Sequence, residues 1–155
     1  MYGDLGLRPS TDLDLVVRKE QASRAIDILR GSHYEPDFPI TDKSSGRYVR
    51  QFIELPFSCS ERHTRIDLHW GLLDHFLFNP TPEQLWSNPQ VVSLDGLLVK
   101  TLSVENTLWY LCVHAAKHDW LILQWLVDIA ELLRRRPDVD WDRVFCRRVV
   151  GASSS

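Results

Sequence analysis

The chain has 155 residues, of which 44% are apolar, so it can form one globular domain with a modest hydrophobic core. Its formal net charge of −3 excludes the basic surface on which non-specific nucleic-acid binding depends. The three cysteines include no C-x-x-C pair, which excludes a fully paired disulfide framework and indicates a reducing cytoplasm. No apolar run reaches the roughly 18 residues that a membrane span requires, so we expect a cytoplasmic protein without a membrane partner.

The first predicted element is a strand over residues 10–17, where polar and apolar residues alternate. Side chains two positions apart on a strand project from the same face, so Asp12 and Asp14 point the same way. Leu13 and the other odd-numbered apolar residues face the core. Two like charges this close repel each other unless a cation lies between them, and hard oxygen ligands suit Mg²⁺. The pair therefore predicts metal-assisted phosphate chemistry.

The chain continues with alternating helix and strand signals. In order, they predict a helix over 20–30, a loop over 33–45, strands over 48–55 and 64–70, a mixed segment over 70–89, and a hairpin with strands over 91–94 and 97–99. Gly31 marks the end of the helix. Asp95-Gly96 is the strongest short-range hairpin signal of the chain.

The strand over 64–70 carries a third candidate carboxylate. Alternation places Arg65, Asp67 and His69 on its polar face and apolar residues on the other. If this strand lies beside the first, three carboxylates converge, as a two-metal site needs in order to hold ions about 3.5–4 Å apart. The alternative is that these acidic residues only face solvent, since a single D-x-D tripeptide is common.

From Ser103 onwards the pattern becomes helical, and we expect Ser103 to cap the first helix. His114 and His118 are one turn apart on that helix, so they are neighbours on its surface. Three interpretations stay open for this pair. They are packing within the helical layer, a zinc site that lacks an obvious third ligand, and a role at a nucleotide site together with Lys117, whose point charge suits phosphate.

A second helix is predicted over 121–136, and a third begins at Asp140. The second helix carries more apolar residues than one narrow stripe needs, so we expect it to be largely buried. Its central Asp128 then needs a partner, either an arginine or histidine of the same layer or a group on the acceptor side. The sequence thus divides into an α/β core over residues 1–100 and a helical part of the same domain over 101–150.

Several blocks of the sequence resemble a known family. They are residues 2–17 (YGDLGLRPSTDLDLVV), 66–70 (IDLHW), 111–120 (LCVHAAKHDW) and 123–130 (LQWLVDIA). The first block resembles the metal-binding strand of the DNA polymerase β-like nucleotidyltransferase superfamily. Together the blocks are similar to the uncharacterised bacterial nucleotidyltransferase family, whose signature is Arg-x-x-x-Asp-Leu-Asp-Leu-Leu-Val.

This resemblance implies an α+β fold, with a mixed β-sheet of nucleotidyltransferase type and a C-terminal helical layer. It also implies that Asp12, Asp14 and Asp67 bind two Mg²⁺ ions that orient a nucleoside triphosphate, expected to be ATP. The nucleoside monophosphate would be transferred to an unknown acceptor hydroxyl on a small molecule or a protein. Further candidates for contact with the nucleotide or its phosphates are Arg8, Ser10, His114, Lys117 and His118.

Members of that superfamily also have a Gly-containing turn and helix before the D-x-D strand, whose backbone N–H groups cradle the triphosphate. The chain begins at Met1-Tyr2-Gly3 without this element, and Gly3 and Gly6 are typical of a loop. The sequence therefore indicates a domain truncated at both ends. A second function follows as the alternative, namely a catalytically inactive remnant that binds a nucleotide or a protein partner.

Overall fold

The computed structural model describes residues 10, 12–72 and 80–145, which belong to two compact units. Residues 10 and 12–72 lie in a sheet unit, and residues 80–145 lie in a hairpin–helix unit. Both units combine strands with helices, so the α+β architecture predicted from the sequence is confirmed.

The described residues of the sheet unit form a four-stranded mixed sheet. Its strands are β1 (Leu13–Val16), β2 (Glu35–Pro36), β3 (Glu54–Cys59) and β4 (Thr64–His69), in the spatial order β1-β4-β3-β2. β1 pairs with β4 in parallel, and the other neighbours are antiparallel. Parallel strands need a long connection, which the elements between β1 and β4 provide.

Helices α1 (Ala22–Gly31) and α2 (Asp42–Gln51) pack on one face of this sheet, and a short 3-10 turn at Lys19–Gln21 precedes α1. The core combines helix residues with alternate strand residues: Ala22, Ile26 and Leu29 of α1, Val49 of α2, Leu55 and Phe57 of β3, and Ile66 and Leu68 of β4. Because strand side chains alternate, the remaining residues of β3 and β4 project from the opposite face. That second face is polar.

The prediction for residues 33–55 is wrong in part, because helix α2 occupies a segment in which the sequence pattern predicts a loop and then a strand. The Thr41 N–H donates to the Ser44 hydroxyl at 2.9 Å, which caps the first turn. Val49 is buried in the core, and the Tyr48 ring stacks on Phe52 with 4.4 Å between centroids. The cap and this packing override the strand propensity of the aromatic and β-branched residues.

The predicted burial of Leu13 is also wrong, because 55% of its surface is exposed. Among the described strands β1 lies at the edge of the sheet and pairs with β4 alone, which leaves Leu13 at the margin of the core. Leu15 of β1 and Val17, which directly follows β1, pack against the core as predicted.

The hairpin–helix unit contains α3 (Pro82–Leu85), β5 (Gln90–Leu94), β6 (Leu97–Thr101), α4 (Val104–Lys117), α5 (Leu123–Arg135) and α6 (Trp141–Phe145). The predicted hairpin is confirmed, and its turn residues Asp95 and Gly96 have the positive φ angles, 48° and 81°, that a tight hairpin turn requires. The predicted cap of α4 is confirmed too, since the Ser103 side chain accepts a hydrogen bond from the Asn106 N–H at 3.2 Å. No helix within the described residues has both the length and the apolarity to cross a membrane.

Helix α5 is less buried than predicted. Leu123, Leu126 and Val127 are 71%, 45% and 43% exposed, whereas Asp128 and Leu132 are buried. Among the described elements α5 packs against α4, and one neighbouring helix covers only one stripe of a helix surface.

Two glycines of the sheet unit give opposite predictions for stability. At Gly71 an added Cβ would lie 2.9 Å from Cγ2 of Ile53, so the Gly71→Ala variant must displace a β-branched side chain. We expect it to lower the free energy of unfolding by about 1–3 kcal/mol. At Gly46, inside α2, the nearest atom is 3.8 Å away, so Gly46→Ala should raise that free energy by about 0.5–1 kcal/mol.

Urea denaturation of both variants beside the parent chain measures these changes as shifts of the midpoint at constant slope. A midpoint for Gly71→Ala at or above that of the parent would contradict the close packing described between Gly71 and Ile53.

Candidate functional site

The polar face of the sheet brings together ionisable side chains from three adjacent strands. The strand register pairs Asp14 of β1 with Asp67 of β4, and His69 of β4 with Glu54 of β3. Neighbouring strands lie about 4.8 Å apart, so paired side chains on one face are neighbours. This surface is termed the carboxylate face, and it comprises Asp12, Asp14, Glu54, Arg65, Asp67 and His69.

The three aspartates predicted from the sequence all lie on the carboxylate face. Asp12 immediately precedes β1 and is half-buried, while the side chains of Asp14 and Asp67 are 49% and 27% exposed. None of the three is turned into the apolar core. Parallel pairing of β1 with β4 is what brings them together, because it places two strands distant in sequence side by side in matching register.

Asp67 lies in an environment that disfavours its charge. Burial raises the pKa of its carboxyl group above the ordinary value of 3.8, Arg65 opposes this rise, and the charges of Asp12 and Asp14 add to it. The Nε atom of Arg65 lies 3.5 Å from Oδ1 of Asp67, and this buried oxygen has no hydrogen-bond partner among the described residues. A buried acceptor without a partner is costly. Oδ1 is therefore a position at which a cation or a donor would be stabilising.

His69 links two carboxylates of the carboxylate face. Its Nε2 atom lies 3.0 Å from Oδ1 of Asp14 and its Nδ1 atom lies 3.2 Å from Oε2 of Glu54, while the imidazole is only 10% exposed. Burial lowers the pKa of His69, but the hydrogen bonds with Asp14 and Glu54 outweigh burial and raise it to about 9. At neutral pH the ring is thus an imidazolium that donates from both nitrogens.

Sequence reasoning places His69 on the polar face but assigns no role to it or to Glu54. Alternation within one strand shows only which way a side chain points. The signal that identifies this pair is the register of β4 with β3, which sets Glu54 directly opposite His69.

The donor set of the carboxylate face fits Mg²⁺ in its chemistry. Mg²⁺ takes carboxylate oxygens and keeps positions for water and phosphate, and Oδ1 of Asp67 lacks a hydrogen bond among the described residues. In the same part of the chain, no three His, Cys, Asp or Glu side chains already converge as a formed metal site. Protein cations lie at the carboxylates instead, with His69 at Asp14 and Arg65 at Asp67.

Of the phosphate-binding candidates before β1, Arg8 lies outside the described residues, and Ser10 lies within them. The Ser10 hydroxyl donates to the backbone carbonyl of Asp12 at 2.7 Å. Such local side-chain bonds fix a turn, so Ser10 helps to set the backbone that presents Asp12. A contact between Ser10 and phosphate stays a prediction.

His114, Lys117 and His118 lie in the last turns of α4 in the hairpin–helix unit or directly after it. The two imidazoles are 5.0 Å apart between centroids, and they lie 5.0 and 5.3 Å from the indole of Trp125. These ring contacts favour packing over the other interpretations of the histidine pair. The described residues provide no third ligand for a zinc ion there. A nucleotide role for these three residues stays a prediction.

Asp128 is fully buried in α5, and the side-chain amide of Gln124 donates to its Oδ1 atom at 3.1 Å. Gln124 lies one helical turn earlier, so the bond forms within α5. Asp128 has further interactions beyond this one. The predicted pairing of Asp128 with arginine or histidine, and its alternative role near the acceptor, stay predictions.

Substitution of Asp67 by asparagine tests the electrostatic description. The ionised carboxylate destabilises the metal-free fold above its raised pKa, so Asp67→Asn should raise the free energy of unfolding at pH 7. The gain comes from removal of the charge alone, because asparagine keeps a polar atom at the same buried position. It should shrink as the pH falls towards 3.8, because the parent carboxylate then becomes protonated.

Urea midpoints measured in the presence of EDTA at several pH values provide this comparison. An Asp67→Asn variant that is less stable than the parent at pH 7 would show that the ion pair with Arg65 outweighs burial.

The sequence matches the model of a known protein family. The model of a family described as uncharacterised nucleotidyltransferases matches residues 1–149. No curated protein and no solved structure matched the chain. The family match spans the three aspartates and nearly the whole chain, and it confirms the resemblance seen in the sequence. The chain therefore belongs to this family of uncharacterised nucleotidyltransferases.

Proposed function

We propose that this protein transfers a nucleoside monophosphate from a nucleoside triphosphate, with ATP as the expected donor, to an acceptor hydroxyl in a Mg²⁺-dependent reaction. The observation that carries the proposal is the pairing of Asp14 with Asp67 on adjacent parallel strands, with Asp12 two residues before Asp14. Family membership supports a nucleotide substrate. The acceptor is a small molecule or a protein, and the cytoplasm is the expected location.

The proposed roles follow from the position of each carboxylate. Asp12 and Asp14 would hold the divalent ions, and Asp67 would complete the cluster. When bound, Mg²⁺ supplies positive charge that offsets the charge developing on the phosphates. Asp67 would also help to activate the acceptor hydroxyl by taking its proton.

The reaction would replace one bond to phosphorus by another. The acceptor oxygen bonds to the α-phosphorus while the bond from that phosphorus to the bridging oxygen of the β-phosphate breaks. Pyrophosphate leaves with the electron pair, and the acceptor proton passes to Asp67. Arg8, Ser10, His114, Lys117 and His118 are the proposed contacts of the nucleotide and its phosphates.

A non-catalytic module that binds a nucleotide or a protein partner is the second candidate. The observation that favours it is the presence of protein cations at two of the carboxylates. His69 lies 3.0 Å from Asp14 and Arg65 lies 3.5 Å from Asp67, so part of the negative charge is compensated without metal. In this case the carboxylate face would be a binding surface rather than a catalytic centre.

Transfer of label from ATP radiolabelled at the α-phosphate distinguishes the two candidates. The chain is incubated with labelled ATP, Mg²⁺ and a cell extract as the source of acceptors, and products are resolved by thin-layer chromatography and gel electrophoresis. We expect Mg²⁺-dependent labelling that Asp12→Asn and Asp67→Asn each reduce by about 100-fold or more. The matched control is Asp27→Asn, which removes an exposed carboxylate from α1 and should leave labelling unchanged.

Calorimetric titration with a non-hydrolysable ATP analogue and Mg²⁺ accompanies the transfer assay. Analogue binding without any labelled product would support the non-catalytic module. Labelling that persists in both aspartate variants would refute the proposed roles of these residues.

A further inference from the structure

Glu54, His69 and Asp14 form a chain of hydrogen bonds that crosses three adjacent strands. Glu54 lies on β3, His69 on β4 and Asp14 on β1. The bonds measure 3.2 Å from His69 Nδ1 to Glu54 Oε2 and 3.0 Å from His69 Nε2 to Asp14 Oδ1. The central imidazole is buried, whereas both carboxylates are about half exposed, at 45% and 49%.

The chain of bonds fixes the orientation of each member. An imidazole held at only one nitrogen can tilt about that bond, but His69 is held at both. The backbone is anchored at the same point, because the Val17 N–H donates to the His69 carbonyl at 2.8 Å and ties the end of β1 to β4. His69 Nε2 is therefore presented to Asp14 from a fixed position.

A hydrogen bond that orients a carboxylate also affects how strongly that carboxylate binds a metal ion. An ionised carboxylate has about four acceptor positions, and a hydrogen bond at one of them sets the plane in which the others lie. Carboxylates that ligate metals are commonly held by such outer hydrogen bonds, and loss of these bonds typically weakens metal binding by about 10- to 100-fold.

We propose that Glu54, acting through His69, positions the Asp14 carboxylate for its divalent cation. This inference rests on the proposed function, because it assumes that Asp14 is a metal ligand. Glu54 and His69 are positioning residues and not ligands themselves. Each of the three strands thus contributes one residue to the site. Glu54 of β3 holds the imidazole, His69 of β4 provides it, and Asp14 of β1 is the proposed metal ligand.

Competition for the Asp14 carboxylate predicts the opposite result for His69, which makes the proposal testable. Nε2 of His69 lies 3.0 Å from Oδ1 of Asp14 and takes up one of its acceptor positions, so removal of His69 would by itself free that position for a cation and tighten binding. If His69 acts mainly by positioning Asp14, its removal weakens binding instead. The sign of the change in metal affinity therefore separates the two effects.

The test is the affinity of the metal-free chain for Mn²⁺ alone, measured at pH 7 by electron paramagnetic resonance and by calorimetry. We expect His69→Gln to weaken binding by about 10- to 100-fold and Glu54→Gln by a smaller factor of about 3- to 10-fold. The double variant should bind no more weakly than His69→Gln, because the proposed effect of Glu54 on Asp14 is transmitted by His69. The matched control Glu35→Gln removes an exposed carboxylate on β2, opposite Ser58, and should leave the affinity unchanged.

The outcomes distinguish this inference from the function on which it rests. If the parent binds Mn²⁺ and His69→Gln binds it equally or more tightly, positioning through His69 is refuted and the metal site stands. Additive losses in the double variant would equally refute the action of Glu54 through His69. If the parent binds no Mn²⁺, the proposed metal site fails and this inference fails with it. Circular dichroism and urea midpoints of each variant check that the half-exposed Glu54 position tolerates substitution without loss of fold.

Discussion

Parallel pairing between β1 and β4 is the constraint on which the carboxylate face depends. It sets Asp14 beside Asp67 although the two residues are far apart in sequence, and it brings Asp12 to the same edge. The apolar residues that alternate with these carboxylates pack with α1 and α2, so hydrophobic burial on one face of the sheet fixes the register on the other. A slip of one residue would exchange the two faces. The core of this unit therefore sets the geometry of its candidate site.

Clustering like charges on a sheet carries an energetic cost, and the protein offsets part of it with its own cations. The imidazolium of His69 lies between Asp14 and Glu54, and Arg65 lies between Asp67 and Asp37. The compensation is incomplete at Oδ1 of Asp67, which stays buried without a hydrogen bond in the described part of the chain. A buried polar atom without a partner lowers the stability of the fold, and such atoms are typical of sites whose residues are arranged to bind a ligand.

Local pattern is sufficient to predict β1, β4, the hairpin at Asp95-Gly96 and the cap at Ser103. Each of these signals depends on residues close together in sequence. Helix α2 cannot be predicted in this way. Its residues Tyr48 and Val49 have strand propensity, but the cap at Thr41 and contacts with residues distant in sequence hold them in a helix. The link between His69 and Glu54 requires the register of β4 with β3, which no pattern within one strand contains.

The central claim is that Asp12, Asp14 and Asp67 together hold the divalent ions of the proposed reaction. The most direct measurement is paramagnetic broadening of backbone amide signals when Mn²⁺ is titrated into isotopically labelled protein. We expect the signals of residues 12–14 and 67 to broaden first, and competition with excess Mg²⁺ to restore them. Broadening confined to other residues, such as those near His114 and His118, or its absence at residues 12–14 and 67, would contradict this claim.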